Sequence, residues 1–254
     1  MPEGDTIHRV VGRLRPILEG ERVTRLSVSR ITGPTPSVGE IVDDVRAVGK
    51  HLVISFSGGL SIRVHLRMTG SWHAYEPGQR WTKAASSARV VIGTADWVVV
   101  CFNAPDVSVG PDPDAELTHL GPDLCVAGAD IDAAAERFDR FVDPDTPIGV
   151  ALLDQRVAAG IGNVYKCDVL HLRGIDPARP LRDISLAERR ELLSLASTLL
   201  IANLGAGSRQ TVPEGLAVYG REGEPCRRCG ARIARIRQGE DQPRSTWWCP
   251  GCQR

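Results

Sequence analysis

The sequence predicts an α+β fold in which an N-terminal helix leads into a β-sandwich, a mostly helical part follows, and a cysteine-rich β-hairpin ends the chain. Three observations predict it. Short alternating or β-branched runs fill residues 23–102, the apolar period lengthens to that of helices beyond residue 130, and two Cys-x-x-Cys pairs lie near the end. The expected domains are residues 1–128, 129–218 and 219–254.

The first helix is expected over residues 6–18, where apolar residues stand at 7, 10, 11, 14, 17 and 18, one face of a 3.6-residue period. Strands are expected at 23–28, 51–56, 60–66, 89–92 and 97–102, separated by Gly and Pro. The Pro- and Asp-rich stretch 104–113 reads as a loop, and 128–130 as a boundary. Helices are then expected at 131–141, 147–159, 163–172 and 185–204, each opened by a capping residue or a proline. Between the second and third of these lies Ala159-Gly160-Ile161-Gly162-Asn163, with Asn163 suited to an N-cap. Such a turn lets backbone approach another group closely, although these five residues alone fit an ordinary tight turn. Residues 205–215, rich in Gly, Ser, Gln and Pro, read as a mobile loop rather than packed structure.

A chain of 254 residues with 42% hydrophobic content can bury two cores. No stretch approaches the roughly 20 apolar residues that cross a bilayer, and a cytoplasmic protein without a membrane partner is expected. The balance of 31 basic and 31 acidic residues hides an asymmetry. Residues 1–102 and 201–254 each carry a net charge of +4, while residues 103–145 carry −9 and read as a solvated acidic linker. Both ends therefore offer the positive charge that phosphate binding needs. Three lysines stand against 28 arginines, which singles out Lys50, because a compact ammonium is not equivalent to a guanidinium fork.

Cys226-x2-Cys229 and Cys249-x2-Cys252, 19 residues apart, have the spacing of a tetrahedral four-thiolate zinc site. A structural zinc, one per chain, would supply the folding free energy that a segment with few apolar groups lacks. The rival reading is a redox Cys-x-x-Cys, for which no thioredoxin-like strand and helix flank the pairs. Residues 231–237 and 245–248 are expected to form a hairpin carrying Arg232, Arg235, Arg237 and Arg244, suited to phosphate contacts.

Met1 precedes the small residue Pro2, so removal of the initiator methionine is expected to leave a secondary amine at the chain end. A free α-amino group titrates at about 7.7–8.0, which leaves a nucleophilic fraction at neutral pH. Attack on the anomeric carbon of a deoxyribose would displace the base and give an iminium, which acidifies C2′ for strand cleavage. Glu3 beside it could act as general acid or base at the sugar oxygen if partial burial raised its pKa.

The combination of Met1-Pro2-Glu3-Gly4, Gly49-Lys50, Gly160-Ile161-Gly162-Asn163, the run from Tyr219 to Cys226 and the run from Arg244 to Gln253 resembles the formamidopyrimidine-DNA glycosylase/endonuclease VIII family, over essentially the whole chain. The resemblance implies a β-sandwich, a helix-two-turn-helix and a zinc finger. It implies Pro2 as Schiff-base nucleophile, Glu3 as catalytic carboxylate and Lys50 as a phosphate-contacting lysine that assists catalysis. Gly162 and Asn163 in the glycine turn, and Arg244 in the finger hairpin, correspond to the motifs that clamp phosphates around the lesion. His65-Leu66-Arg67-Met68-Thr69-Gly70 resembles the loop that fills the hole left by the flipped nucleotide, with Met68 as wedge and His65 and Arg67 among the DNA-binding residues.

Departures from the pattern bear on substrate. Phe102-Asn103-Ala104-Pro105-Asp106-Val107 lacks the Pro-Arg-Arg-Phe-Gly segment common in the oxidised-purine branch. With Pro-Glu-Gly at the start and Trp-Cys-Pro-Gly-Cys at the end, this implies the endonuclease VIII branch and oxidised pyrimidines. Asp5-Thr6 replaces the usual Pro-Glu, leaving open a second acidic group near the nucleophile. The expectation is a monomeric DNA-repair glycosylase and AP lyase that cleaves by β,δ-elimination, needs no redox cofactor, binds damaged DNA and is nucleoid-associated when so bound. Two alternatives stand beside it: an oxidised-purine enzyme of the same family, and a DNA-binding zinc-finger protein whose catalytic end has decayed.

Overall fold

The computed structural model describes residues 2–112, 114–240 and 243–254; Met1, on which the expected processing bears, lies outside them. The chain divides into two compact units. Pro2 and residues 6–119 make the first, and residues 3–5 and 120–254 the second.

In the first unit, helix α1 (Gly4–Leu18) runs ahead of eight strands: β1 (Arg25–Val28), β2 (Val42–Val48), β3 (His51–Phe56), β4 (Ser61–His65), β5 (Ser71–Tyr75), β6 (Ala88–Gly93), β7 (Val98–Phe102) and β8 (Asp106–Gly110). They form two antiparallel four-stranded sheets, ordered β1-β6-β7-β5 and β2-β3-β4-β8. One core joins Ile54, Ile62 and Val64 of one sheet, Val90, Ile92 and Val99 of the other, and Ile7, Val10, Leu14 and Leu18 of α1. This is the expected sandwich, closed along one side by the apolar stripe of α1. Each fully buried Ile, Leu or Val contributes about 1.5–3 kcal/mol by leaving water.

Three strands were not legible in the sequence. β2 carries Asp43, Asp44 and Arg46 and so lacks a clean alternation, and β5 is short and rich in polar and aromatic residues. β8 replaces the loop expected at 104–113: it pairs with β4 over Ser61↔Gly110 to His65↔Asp106, and that ladder outweighs the local preference of Pro and Asp for turns. Nor is the acidic stretch 103–145 a solvated linker. Asp106 lies 3.6 Å from the Arg63 guanidinium, Glu116 2.8 Å from it, and Asp114 2.7 Å from Arg46, while Asp130 caps the next helix.

The second unit holds α2 (Ile131–Phe141), α3 (Ile148–Ala151), α4 (Asn163–Arg173), α5 (Leu186–Ala202) and the hairpin β9 (Ala234–Gln238) and β10 (Arg244–Trp248). Leu120 to Gly128, assigned by sequence to the first domain, packs here. Gly121 N–H donates to Gln155 O, Leu124 N–H donates to Ala159 O, and Leu124 and Cys125 join the core of Phe138, Ile148, Tyr165, Leu192 and Leu200.

The helix expected at 147–159 ends at Ala151. The Asp154 carboxylate accepts from Arg156 N–H and side chain, a local hydrogen bond that competes with helix continuation. α5 is opened by Ser185, a capping residue as expected, and the structure adds a reciprocal capping box with Glu188. α4 is the central helix, buried continuously from Asn163 to His171. Its N-cap is Gly162, and Asn163 is the first helical residue rather than the cap expected from sequence.

Candidate active site

The glycine turn before α4 is shaped around Glu3. That side chain is fully buried, and its carboxylate accepts from Gly162 N–H at 2.9 Å and Val164 N–H at 2.8 Å, with Tyr165 N–H at 3.5 Å. These are the N–H groups that the first turn of a helix leaves without intrahelical partners, and they carry the positive end of its dipole. A Cβ at Gly162 would lie 2.3 Å from Glu3 Cδ, so only glycine admits the carboxylate. Gly162 itself is extended, at φ −123°. Gly4 is equally enclosed: its N–H donates to Gly160 O at 3.0 Å, and a Cβ there would meet Cys125 Sγ at 2.5 Å and Gly160 Cα at 2.8 Å.

The sequence reading made a general acid–base role for Glu3 conditional on partial burial. Burial is complete, and the printed donors to the carboxylate are backbone N–H groups at a helix N-terminus, which stabilise a carboxylate. Asp5 follows in the same stretch of chain. It too is fully buried, held by Arg209 through Nε at 2.7 Å and Nη2 at 2.5 Å, with Arg209 Nη1 3.8 Å from Glu3. Burial alone would lower the Arg209 pKa, but Asp5 and Glu3 raise it and keep the guanidinium charged. It lies 5.1 Å from the centre of the Tyr165 ring, whose phenol burial pushes up.

Nothing in the sequence links residues 5 and 209. The pair corrects the expectation that 205–215 is unpacked. Gln210 is bound through both its N–H and its C=O by Asn203, and the Thr211 hydroxyl donates to Asp168. Asp168, on α4, is a third buried carboxylate, and it also accepts from the N–H groups of Ala217, Val218 and Tyr219 at 2.9–3.0 Å.

α4 also positions the finger hairpin. Asn163 Nδ2 donates to Ser245 O at 2.8 Å, and the fully buried Lys166 ammonium donates to the Thr246 hydroxyl at 2.7 Å. Burial holds the Lys166 pKa below its ordinary value. Arg244 begins β10, opposite Gln238, so Gly162, Asn163 and Arg244 are joined through one helix end and one strand. The expected hairpin thus runs over Ala234–Gln238 and Arg244–Trp248.

Below it the four cysteines converge, their sulfurs all within 4.8 Å of one another, with Cys226–Cys252 at 3.8 Å and Cys229–Cys249 at 3.4 Å. A zinc–thiolate tetrahedron with bonds of about 2.3 Å has edges of about 3.8 Å, so the donor set fits the metal. The other three cysteines are buried. For Cys101 and Cys167 burial pushes the thiol up to about 12, which leaves them inert.

In the first unit, Pro2 is half-buried, one peptide bond from Glu3. Lys50 sits in the β2–β3 turn after Gly49, whose φ of +57° a residue bearing a side chain rarely adopts. His65 ends β4; Arg67, at φ +49°, and Met68 follow. Met68 is 66% exposed. Arg67 reaches Asp106 at 3.4 Å.

His65 packs 4.7 Å from His51. Burial, aided by Arg67, Lys50 and Arg63 and opposed by Asp106, lowers His65 to about 4. Burial, His65 and Arg63 lower His51 to about 3. At neutral pH His65 is therefore a neutral hydrogen-bonding group, not a cation.

The profile of the formamidopyrimidine-DNA glycosylase N-terminal domain matches residues 1–105, that of the formamidopyrimidine-DNA glycosylase H2TH domain residues 120–212, and that of the zinc finger found in FPG and IleRS residues 223–254. Over its whole length the chain is 40% identical to a probable endonuclease 8 2 of Streptomyces coelicolor, covering 94% of that protein. It is 39% identical to the DNA-(apurinic or apyrimidinic site) lyase Nei2 of Mycolicibacterium smegmatis, covering 99%. The Lactococcus lactis formamidopyrimidine-DNA glycosylase bound to DNA containing an AP site shares the fold, with a TM-score of 0.82 at 22% identity and 99% of each chain covered.

One prediction follows from the histidine pair. Both folded pKa values lie below the ordinary 6.5, so between pH 6.5 and 4 the unfolded chain binds more protons. Their contribution to stability is complete above pH 6.5 and is lost as pH falls toward 4. Urea midpoints should drop across that window, and His51→Gln with His65→Gln should flatten the drop; an unchanged slope contradicts the assignment.

Proposed function

Because the chain belongs to the formamidopyrimidine-DNA glycosylase/endonuclease VIII family, we propose that it is a DNA glycosylase and AP lyase of base excision repair that removes oxidised pyrimidines through a Schiff base on Pro2. The observation that carries the reading is the buried Glu3 carboxylate, fixed by the α4 N–H groups one peptide bond from the proline nitrogen.

In this mechanism the Pro2 amine, free after removal of Met1, attacks C1′ and the base leaves with the bonding pair. Glu3 takes the proton from the new ammonium and returns it to the ring oxygen as the sugar opens, leaving an iminium between Pro2 and C1′. General acid–base assistance of this kind contributes about 10²- to 10⁴-fold. The iminium acidifies C2′, and loss of that proton expels the 3′ phosphate. A second elimination expels the 5′ phosphate, which completes β,δ-cleavage.

Lys50, Asn163 and Arg244 serve as phosphate contacts and Met68 as the wedge that fills the vacated stack, with His65, Arg67 and Gly162 beside them. Gly162 acts by giving way to Glu3. Cys226, Cys229, Cys249 and Cys252 hold one structural zinc per chain, which keeps β9 and β10 folded and takes no part in the bond-breaking steps. The protein acts as a monomer on damaged DNA, nucleoid-associated when bound. Pyrimidine specificity is supported by the absence of an arginine-bearing segment after Phe102 and by relatives named endonuclease 8.

Borohydride added during incubation with an abasic duplex should trap a covalent adduct whose peptide map ends at Pro2. An adduct on a lysine, or none, contradicts the nucleophile. A thymine-glycol duplex should be incised faster than an 8-oxoguanine duplex, and the reverse order would reassign the substrate. Metal analysis should return one zinc per chain, and chelation should cost DNA binding; a zinc-free protein that binds DNA fully contradicts the structural role.

A further inference from the structure

Behind the loop that carries Met68, the first unit contains a cavity of about 440 Å3 lined by Arg30, Thr69, Ser87, Arg89, Asn103, Ala104 and Pro105. Its walls are built rather than incidental. The Thr69 hydroxyl donates to Asn103 O at 2.9 Å, Asn103 N–H to Ser87 O at 2.9 Å, and Ser29 N–H to Arg89 O at 2.8 Å. Arg30 and Asn103 both hold positive φ, at +61° and +54°, a conformation costly for residues with a side chain and kept where the surroundings impose it.

Arg89 lies in β6 where the ladder slips, Ala88 facing Phe102 and Val90 facing Cys101. It is therefore the extra residue of a bulge, and a bulge turns a side chain away from its regular direction. Its residue is only 8% exposed, and its buried Nε has no hydrogen-bond partner among the described residues.

A buried guanidinium persists at low cost only where an anion meets it. Among the described residues no carboxylate lines the cavity, and the nearby Asp106 is engaged by Arg63 and Arg67. We propose that this cavity is a phosphate site, with Arg89 at its base and Arg30 at its rim, that takes a phosphodiester of the DNA backbone beside the Met68 loop. The proposal rests on the DNA-binding reading above and adds to it a contact outside the catalytic and clamping groups. A free phosphate has the same chemistry, so the test separates the two sources.

The measurement is the salt dependence of binding to a duplex with a tetrahydrofuran abasic-site analogue, for Arg89→Gln, Arg30→Gln and Arg190→Gln. Each phosphate contact contributes about 0.9 to the slope of log affinity against log salt. Arg89→Gln and Arg30→Gln should each lower the slope by about 0.9. Arg190→Gln, whose guanidinium already meets Asp132 at 2.6 Å, should leave it unchanged. Arg30 is exposed, so its variant keeps the test intact if Arg89→Gln folds poorly.

Wild-type slopes in both variants overturn the backbone assignment. If inorganic phosphate then raises the melting temperature of the wild type but not of Arg89→Gln, the cavity is a free-phosphate site, and if it raises neither the cavity binds no anion. Borohydride trapping is read separately: a lost adduct with the slope change retained faults the catalytic reading and leaves the pocket standing.

Discussion

The rest of the second unit depends on one constraint, a carboxylate from the start of the chain seated on the first turn of α4. Taking a charge out of water costs several kcal/mol unless it is met by donors. For Glu3 the donors are backbone N–H groups that α4 would otherwise have to satisfy elsewhere, so one contact answers two needs. The seat demands a glycine at 162 and close approach of Gly4 to Gly160.

α4 carries more than this one group. Asp168 gathers three N–H groups and a hydroxyl from the stretch that leads into the finger, Lys166 and Asn163 hold β10, and Cys167 joins the small core around Cys226, Ile233 and Cys249. An ordinary central helix would be apolar all round. This one buries charge at intervals and has a partner for each, so a single rigid element registers Glu3, the finger hairpin and the 209–219 segment. Positioning of this kind matters because an error of about 1 Å in reacting groups can cost about 100-fold in rate.

Much of this was legible in the sequence, and the failures have physical causes. Cys-x-x-Cys spacing and the periods of α1, α2 and α5 gave the finger and the helices, because these depend on local pattern. β8 was read as a loop because its pairing is with β4, more than 40 residues earlier in the chain. Asn163 was read as a cap because the side chain that occupies that end of α4 comes from residue 3, not from the neighbouring sequence. The Asp5–Arg209 pair left no local signal at all: each residue looks unexceptional until tertiary folding buries both.

The most direct test of the seat is Gly162→Ala. The extended backbone at 162 tolerates alanine, so the substitution changes little but the space that Glu3 occupies. Single-turnover formation of the borohydride-trapped adduct on an abasic duplex, measured at saturating enzyme, should fall by about 100-fold or more while circular dichroism stays near wild type. Adduct formation at the wild-type rate would contradict the account, because the carboxylate would then be shown not to need its place on α4.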